Sequence, residues 1–405
     1  MHDEDRRTAG FKQKTRVEAA RAAFHGSVTP LSRTERVPVR QADERVVATA
    51  IDADRPIPHY ARAAMDGYAV RATDTHEASE RSPVGLSVGE QIAPGQAVGV
   101  HTGSVLPEGA DAVVRVEATE ERDGGIDVFN AVPAGANVGP IGEDVEAGQH
   151  LYDEGTQLRP SDLGLLKGTG YDEVPVYDRP RVSVIPTGEE LVQDDPAPGE
   201  IVETNGQTVA QYVERWGGVV TDRAIVTDDV DALRTAIDRD IDHDIVVTTG
   251  GSSVGDRDLL PEVVDGLGEV LVHGVALKPG HPVALGVVDG TPVLNLPGYP
   301  VACIVTAVQF LRPALKRVGR LPARTPPTTT ARLSRKLTSE PGTRSYARVE
   351  LDETGEEPTA TPVRSGGAGV LSSVALADGW VVVPESTEGY AEGETVAVEH
   401  WEWSR

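Results

Sequence analysis

Apolar and polar positions change rhythm several times along the chain. "TRVEAARAAF" (15–24) repeats apolar residues at helical spacing, and "VRQADERVVATAI" (39–51) opens on a charged turn and closes on an apolar face. Both predict helices. Over 51–147 the pattern becomes short β-branched runs broken by Pro and Gly, as in "VGLSVG", "ADAVVRVE" and "IDVFNAV", so a β-rich module is expected. "RPSDLGLLKGTG" (159–170) returns to the first style, a helix with a Ser/Asp start and a Gly stop. The β module is therefore read as an insertion, at 51–147, into a helical linking domain made of 1–50 and 148–178. Over 179–322 strand patterns alternate with helical ones. "RVSVIPTG", "VVTDRAIV", "DIVVTTGG" and "TPVLNLPG" read as strands. "NGQTVAQYVERWGG", with an Asn cap, and "DVDALRTAID" read as helices, before a long apolar helix from about Pro300 to Gly319. Such alternation predicts a doubly wound α/β sheet. After the Pro-rich "LPARTPPTTTAR", residues 328–405 predict a small C-terminal β domain. The fold class is multidomain α/β plus β.

Composition adjusts this picture. The chain has 405 residues, 64 acids, 38 bases and a net charge of −26. Six of the bases are lysine, and the other 32 are arginine. Hydrophobic residues at 39% still allow a sizeable core. Acids spread over the whole length, with lysine scarce, point to a halophilic surface, because at ~1 M salt the Debye length is only about 3 Å and self-repulsion is screened. The same charge argues against nucleic acid and anionic membranes as partners. The one cysteine, Cys303, excludes an internal disulfide framework and a cysteine zinc site. No apolar run approaches a membrane span and the start of the chain has no apolar signal core, so a cytoplasmic location is expected.

The candidate chemistry lies at strand ends and glycine turns. In an open α/β sheet, ligands bind beyond the carboxyl ends of the strands. "TTGGSSVGDRD" (248–258) and "NLPGYPVA" (295–302) both fall there. Gly250, Gly251, Ser252 and Ser253 offer backbone and hydroxyl donors, and Pro297, Gly298 and Pro300 shape a second loop, which together suit a phosphate or oxyanion. Between them, "ALKPGHPVALG" (276–286) keeps one of the few lysines, Lys278; a specific charge and a solvated loop lysine are equally good readings. Four acids also occupy unusual places: Asp66 in "AAMDGYAV", Asp144 in "IGEDVEAG", Glu190 beside Glu189 in "PTGEELV", and Asp258 after the Gly-Ser loop. For each the plain alternative is a capping or solvated acid.

"AAMDGYAV", "HTGSVLPEGADAVVRVE", "GEDVEAG", "PTGEELV", "ETNGQTVAQYV", "VVTTGGSSVGDRD", "LKPGHPVALG" and "LPGYPVA" occur in an order and spacing that resemble the MoeA family of molybdopterin molybdotransferases, which includes the E domain of gephyrin and of the plant Cnx proteins. The resemblance runs from about residue 15 to 350. It implies that the α/β domain is MogA/MoaB-like and that the protein is an elongated homodimer with sites between subunits. It further implies insertion of molybdate, or tungstate, into adenylylated molybdopterin with release of AMP and with Mg2+. By resemblance, Asp66, Thr102 and Asp144 belong to the catalytic set with Glu190, Asp258 and Lys278, and Glu190 and Asp258 are expected to bind Mg2+ or to position the attacking oxygen at the phosphoanhydride. Gly250–Ser253, His281, the Pro297–Pro300 loop and Arg348 in "RSYARV" would bind substrate, with Arg344 as an alternative to Arg348. Two positions depart from the family: His281 stands where lysine is usual, and Tyr299 where asparagine is frequent. A MogA-like adenylyltransferase and a non-catalytic scaffold are the competing functions.

Overall fold

A computed structural model describes residues 14–250, 259–363 and 369–403. The chain forms two compact units, one made of the chain up to residue 35 together with 177 onward, the other of 36–176.

The larger unit is built on a six-stranded sheet in the order Val219–Asp222, Arg181–Pro186, Ile245–Thr249, Thr291–Leu296, Ala284–Val288, Glu269–His273. The first four strands are parallel and Ala284–Val288 runs against its neighbours. Strand alternation divides the apolar residues between two faces. Val182, Val184, Val247 and Leu294 pack with the helices Asn205–Arg215 and Pro300–Val318. Ile185, Val246 and Val293 face Val230–Asp240 and Leu259–Leu267. Burial on both faces explains why these strands read as continuous apolar runs. The helix Val17–Ser27 joins the first face through Val17, Ala20 and Phe24.

The long helix is continuous, but its middle, Ala307–Leu311, is π-helical. Pro313 has no N–H for the carbonyl of Gln309. That carbonyl instead accepts from Arg21 Nε at 3.3 Å.

Five strands of the C-terminal domain close on themselves: Arg344–Asp352, Thr359–Pro362, Thr328–Leu333, Thr395–Glu399 and Gly379–Val383, the last pairing back to the first. Leu277–Lys278 adds at the edge beside Arg344–Ser345. Leu333, Val349, Val381 and Val398 fill the interior.

In the smaller unit a six-stranded sheet contains Gly67–Val70 and Gln96–Val100, over a core that includes Val70, Leu86, Val114 and Ile126. Residues 37–51 and 158–176 share a separate core of Val37, Val47, Leu158, Leu166 and Val176. Here one expectation fails. Residues 39–51 are not a helix. Val39–Gln41 makes a single 3-10 turn, Glu44 takes a positive φ of 61°, and Val46 and Val47 form bridges to Gln157 and Val176. Two successive buried valines need extended backbone, which sends neighbouring side chains to opposite sides.

Asp240 shows an acid with a structural duty. Buried Asp240 accepts from Ser183 Oγ (2.7 Å), Arg223 and Arg239. Burial alone would raise its pKa, but these donors outweigh it and hold the carboxyl at about 2. Its stabilising contribution is therefore present above the ordinary carboxylate pKa and lost as pH falls toward 2. No helix among the described residues is long and apolar enough to cross a membrane.

Candidate functional site

In the smaller unit three segments, 57–66, 101–106 and 137–145, are tied into one rim. Ala63 N–H donates to Ser104 O, Ala64 N–H to Asn137 O and Asp144 N–H to Ile57 O, all at 2.9 Å. Asp66 sits on it just before Gly67. A Cβ on Gly67, whose φ is +155°, would lie 2.0 Å from Val114 O, so only glycine lets the turn press this closely on the next strand. Asp66 Oδ1 accepts the backbone N–H of Thr102 at 2.6 Å and its hydroxyl at 2.9 Å. The amide contact first, and then the hydroxyl, hold the exposed carboxyl below its ordinary range. Asp66 is thereby oriented and ionised, so it can accept a hydrogen bond or bind a cation but not act as a general acid near neutrality. Removing the hydroxyl while keeping the amide, with Thr102→Val, should move the Asp66 pKa part of the way back toward the ordinary value. An NMR titration reads this directly, and an unchanged Asp66 pKa would show that the hydroxyl does not matter. Asp144 is exposed on the same rim, next to the Arg62–Glu143 ion pair.

In the larger unit the carboxyl ends of the parallel strands bring three turns together. Thr187 N–H donates to Thr249 O (2.9 Å) and Gly250 N–H to Leu296 O (3.0 Å). A Cβ on Gly250 would be 2.1 Å from Thr187 O, and one on Gly298 would be 3.4 Å from Gly250 Cα. Asn205 does not cap its helix. Instead, Glu203 Oε1 accepts from Gly206 N–H (2.6 Å), and Asn205 Nδ2 reaches across to Gly298 O at 2.7 Å, fixing the Pro297–Pro300 loop. Pro300 occupies the first position of its helix. Glu190 follows the Thr187–Gly188 turn with an exposed carboxylate. Along this edge, among the described residues, the buried atoms Thr187 Oγ1, Thr249 Oγ1 and Asn295 Nδ2 have no hydrogen-bond partner. Unpaired buried polar atoms are costly, and strand alternation sets Thr249 on one face of the sheet and Thr187 and Asn295 on the other, so these atoms lie near the strand ends without forming one cluster. Sequence reasoning missed these three, because a threonine or asparagine inside a strand gives no sign of an unmet bond. Gly251, Ser252, Ser253 and Asp258 lie outside the described residues.

The remaining candidate residues lie around the edge where the C-terminal domain meets this unit's 277–278 strand. Lys278 pairs with Glu340 at 3.0 Å. His281 is half-buried, and burial, followed by the charges of Lys14 and Lys278, lowers its pKa. It is therefore uncharged at neutral pH in the free protein. The structure separates the two candidate arginines. Arg344 is held by Glu18 (2.6 Å) and Glu385 (3.1 Å). Arg348 is buried, donates to Tyr346 O (3.3 Å) and Ser373 Oγ (3.4 Å), and has no carboxylate partner among the described residues. Burial alone lowers its pKa. A buried guanidinium without a counter-ion is suited to taking an anion. Lys278 lies opposite Ser345, three residues before Arg348, so strand alternation puts Lys278 and Arg348 on opposite faces of the sheet. They do not form one cluster in this unit. Among the described residues no group of three or more His, Cys, Asp or Glu side chains is arranged to hold a metal.

The chain matches the MoeA N-terminal region (domain I and II) over residues 15–170, a "Probable molybdopterin binding domain" over 183–317 and the MoeA C-terminal region (domain IV) over 330–401. It is 36% identical to a molybdopterin molybdenumtransferase 2 of Mycobacterium tuberculosis, across 89% of this chain and 94% of that one. It is 33% identical to the molybdopterin molybdenumtransferase of Bacillus subtilis, across 92% of each. A crystal structure of a molybdopterin biosynthesis MoeA protein from Pyrococcus horikoshii superposes with a TM-score of 0.83 at 34% identity, covering 96% of this chain and all of the other. Three consecutive domain matches, full-length relatives and a common fold converge: the chain belongs to the MoeA family.

Proposed function

We propose that this protein is a molybdopterin molybdotransferase, which inserts molybdate into adenylylated molybdopterin and releases AMP, the last step of molybdenum cofactor synthesis. The observation that carries the reading is the strand-end crevice, where the turns at Thr187–Gly188, Gly250 and Gly298 pack together at the carboxyl ends of the parallel strands, with Gly250 against Thr187 O and Gly298 against Gly250. It is the place and the chemistry for an anionic nucleotide–pterin. The relatives named as molybdenumtransferases over nearly their whole length support the same reaction.

Both substrates are anions, so the carboxylates need a bridging cation. Glu190, an exposed oxygen donor beside the crevice, fits a hard ion such as Mg2+, with Asp258 as its partner outside the described residues. Bound there, Mg2+ would neutralise charge at the phosphoanhydride. Lys278 and Arg348 would hold oxyanions, Lys278 from an exposed loop and Arg348 from a desolvated one-sided setting. Asp66, an ionised carboxylate oriented by Thr102, would contribute an acceptor or a cation ligand. A homodimer with sites between subunits accords with the exposed Met65, Val105 and Ile141, one from each segment of the Asp66 rim, which a second copy would cover. Adding molybdate and Mg2+ to the protein loaded with adenylylated molybdopterin should release AMP. Molybdate binding without AMP release would instead indicate a scaffold.

The reading as a halophilic protein rests on the net charge of −26 and the scarcity of lysine, six of 38 bases. The melting temperature should climb markedly between low and molar KCl as self-repulsion is screened. A flat curve would refute the halophilic reading and leave the enzymatic one standing.

A further inference from the structure

Four titratable groups, Lys14, Lys278, His281 and Glu340, come from three distant parts of the chain to the Lys278 loop. Thr15 bridges Val275, its N–H donating to Gly274 O (3.0 Å) while its own carbonyl accepts from Ala276 N–H (2.8 Å). This stitches Lys14 to the segment that leads into Lys278. Val275 N–H donates to His281 O (2.9 Å), folding the loop back on the same segment. From the C-terminal domain, Glu340 reaches Lys278 Nζ at 3.0 Å. The turn carrying Glu340 is anchored on both sides, by Ser339 N–H on Glu388 O and Gly342 N–H on Glu385 O, each 2.8 Å. The electrostatics agree with the geometry. Lys278, then Lys14 and His281, lower the Glu340 pKa, and Lys14 and Lys278 both act on His281. Two of the chain's six lysines thus converge here, in a protein whose acids outnumber its bases by 64 to 38.

We propose that Glu340 is the internal counter-ion of this loop, the carboxylate that an incoming oxyanion must displace from Lys278, and that Lys14 is a further base for the same anion. The inference rests on reading Lys278 as an oxyanion ligand. Lys278 and Glu340 are both well exposed, with 60% and 67% of their side chains accessible. An ion pair in that setting is weak, so a dianion exchanges with it reversibly. The anchored turn keeps the displaced carboxylate close, where it opposes the bound anion and keeps affinity low enough for release. Lys14 offsets that opposition with a charge that His281, neutral at working pH, does not supply.

The test is molybdate binding by calorimetry at fixed salt and pH, using the full chain and four variants. Glu340→Gln should tighten molybdate roughly 2–5-fold, the scale of an exposed ion pair, and Glu340→Ala should do the same if glutamine itself bonds to Lys278. Lys14→Gln should weaken binding by a similar factor, and Lys278→Gln by more. If Lys278→Gln weakens binding while both Glu340 variants leave it unchanged or weaker, the counter-ion role is overturned and the oxyanion site survives. An unchanged affinity in Lys14→Gln removes Lys14 from the site. If Lys278→Gln has no effect, the oxyanion reading of the loop fails and the proposal falls with it.

Discussion

Replacing Glu190 with glutamine is expected to leave the protein folded and to lower AMP release by about 100-fold or more, the scale of a lost electrostatic contributor. The fold should survive because the side chain is exposed and the structural contact of this residue is made by its backbone, whose carbonyl accepts from Ile201 N–H at 2.8 Å. Glutamine keeps the shape and one oxygen but loses the charge that would hold a divalent cation. The loss should therefore be partly recovered by raising Mg2+, whereas a pure proton-transfer role would not respond to the ion. Single-turnover AMP release across a Mg2+ series, alongside a melting curve, reads both. Near-native turnover at low Mg2+ would remove Glu190 from the site. Asp258→Asn should behave in the same way.

The second large effect is restoration. Asp66→Ala and Glu190→Gln should each be inactive alone. Mixed in equal amounts and allowed to exchange subunits, they should regain about a quarter of native activity. Half of the dimers formed at random are heterodimers, and in a symmetric assembly with sites shared between subunits one of the two sites in each is free of both changes. If exchange is verified by mass and no activity returns, Asp66 and Glu190 serve a site within one subunit, and the shared-site reading is abandoned.

Much of this protein could be read from its residues, for reasons that differ by segment. The α/β region was legible because strands buried on both faces become uninterrupted apolar runs, Arg181–Pro186 and Ile245–Thr249 among them, and because helices such as Asn205–Arg215 carry a single apolar stripe. Residues 39–51 misled because "ADERVVA" has helical composition, whereas Val46 and Val47 are extended by pairing with residues more than a hundred positions away. The candidate acids were found by their turns. What surrounds them was not visible: Asn205 looked like a cap and is a brace, and nothing in "SEPGTR" singles out Glu340 as a partner for Lys278.

Features that depend on near neighbours are readable in the residues alone. These are the order of strands and helices, the turns where only glycine fits, as at Gly67 and Gly250, and the position of Asp66 and Glu190 beside such turns. Local dihedral preferences and side-chain periodicity act over a few residues, so they leave a readable pattern. Which charges pair around the candidate residues is set by packing across the chain. Asp66 is oriented by Thr102, 36 residues away, which also lowers its pKa below the ordinary carboxylate value. Lys278 is neutralised by Glu340 across 62 residues. Arg344 is claimed by Glu18 across 326, while Arg348, four positions along the same strand, is left without a carboxylate among the described residues. Which charges meet depends on how sheets and loops pack, and a charge acts through space at any separation in sequence, so no local pattern encodes it.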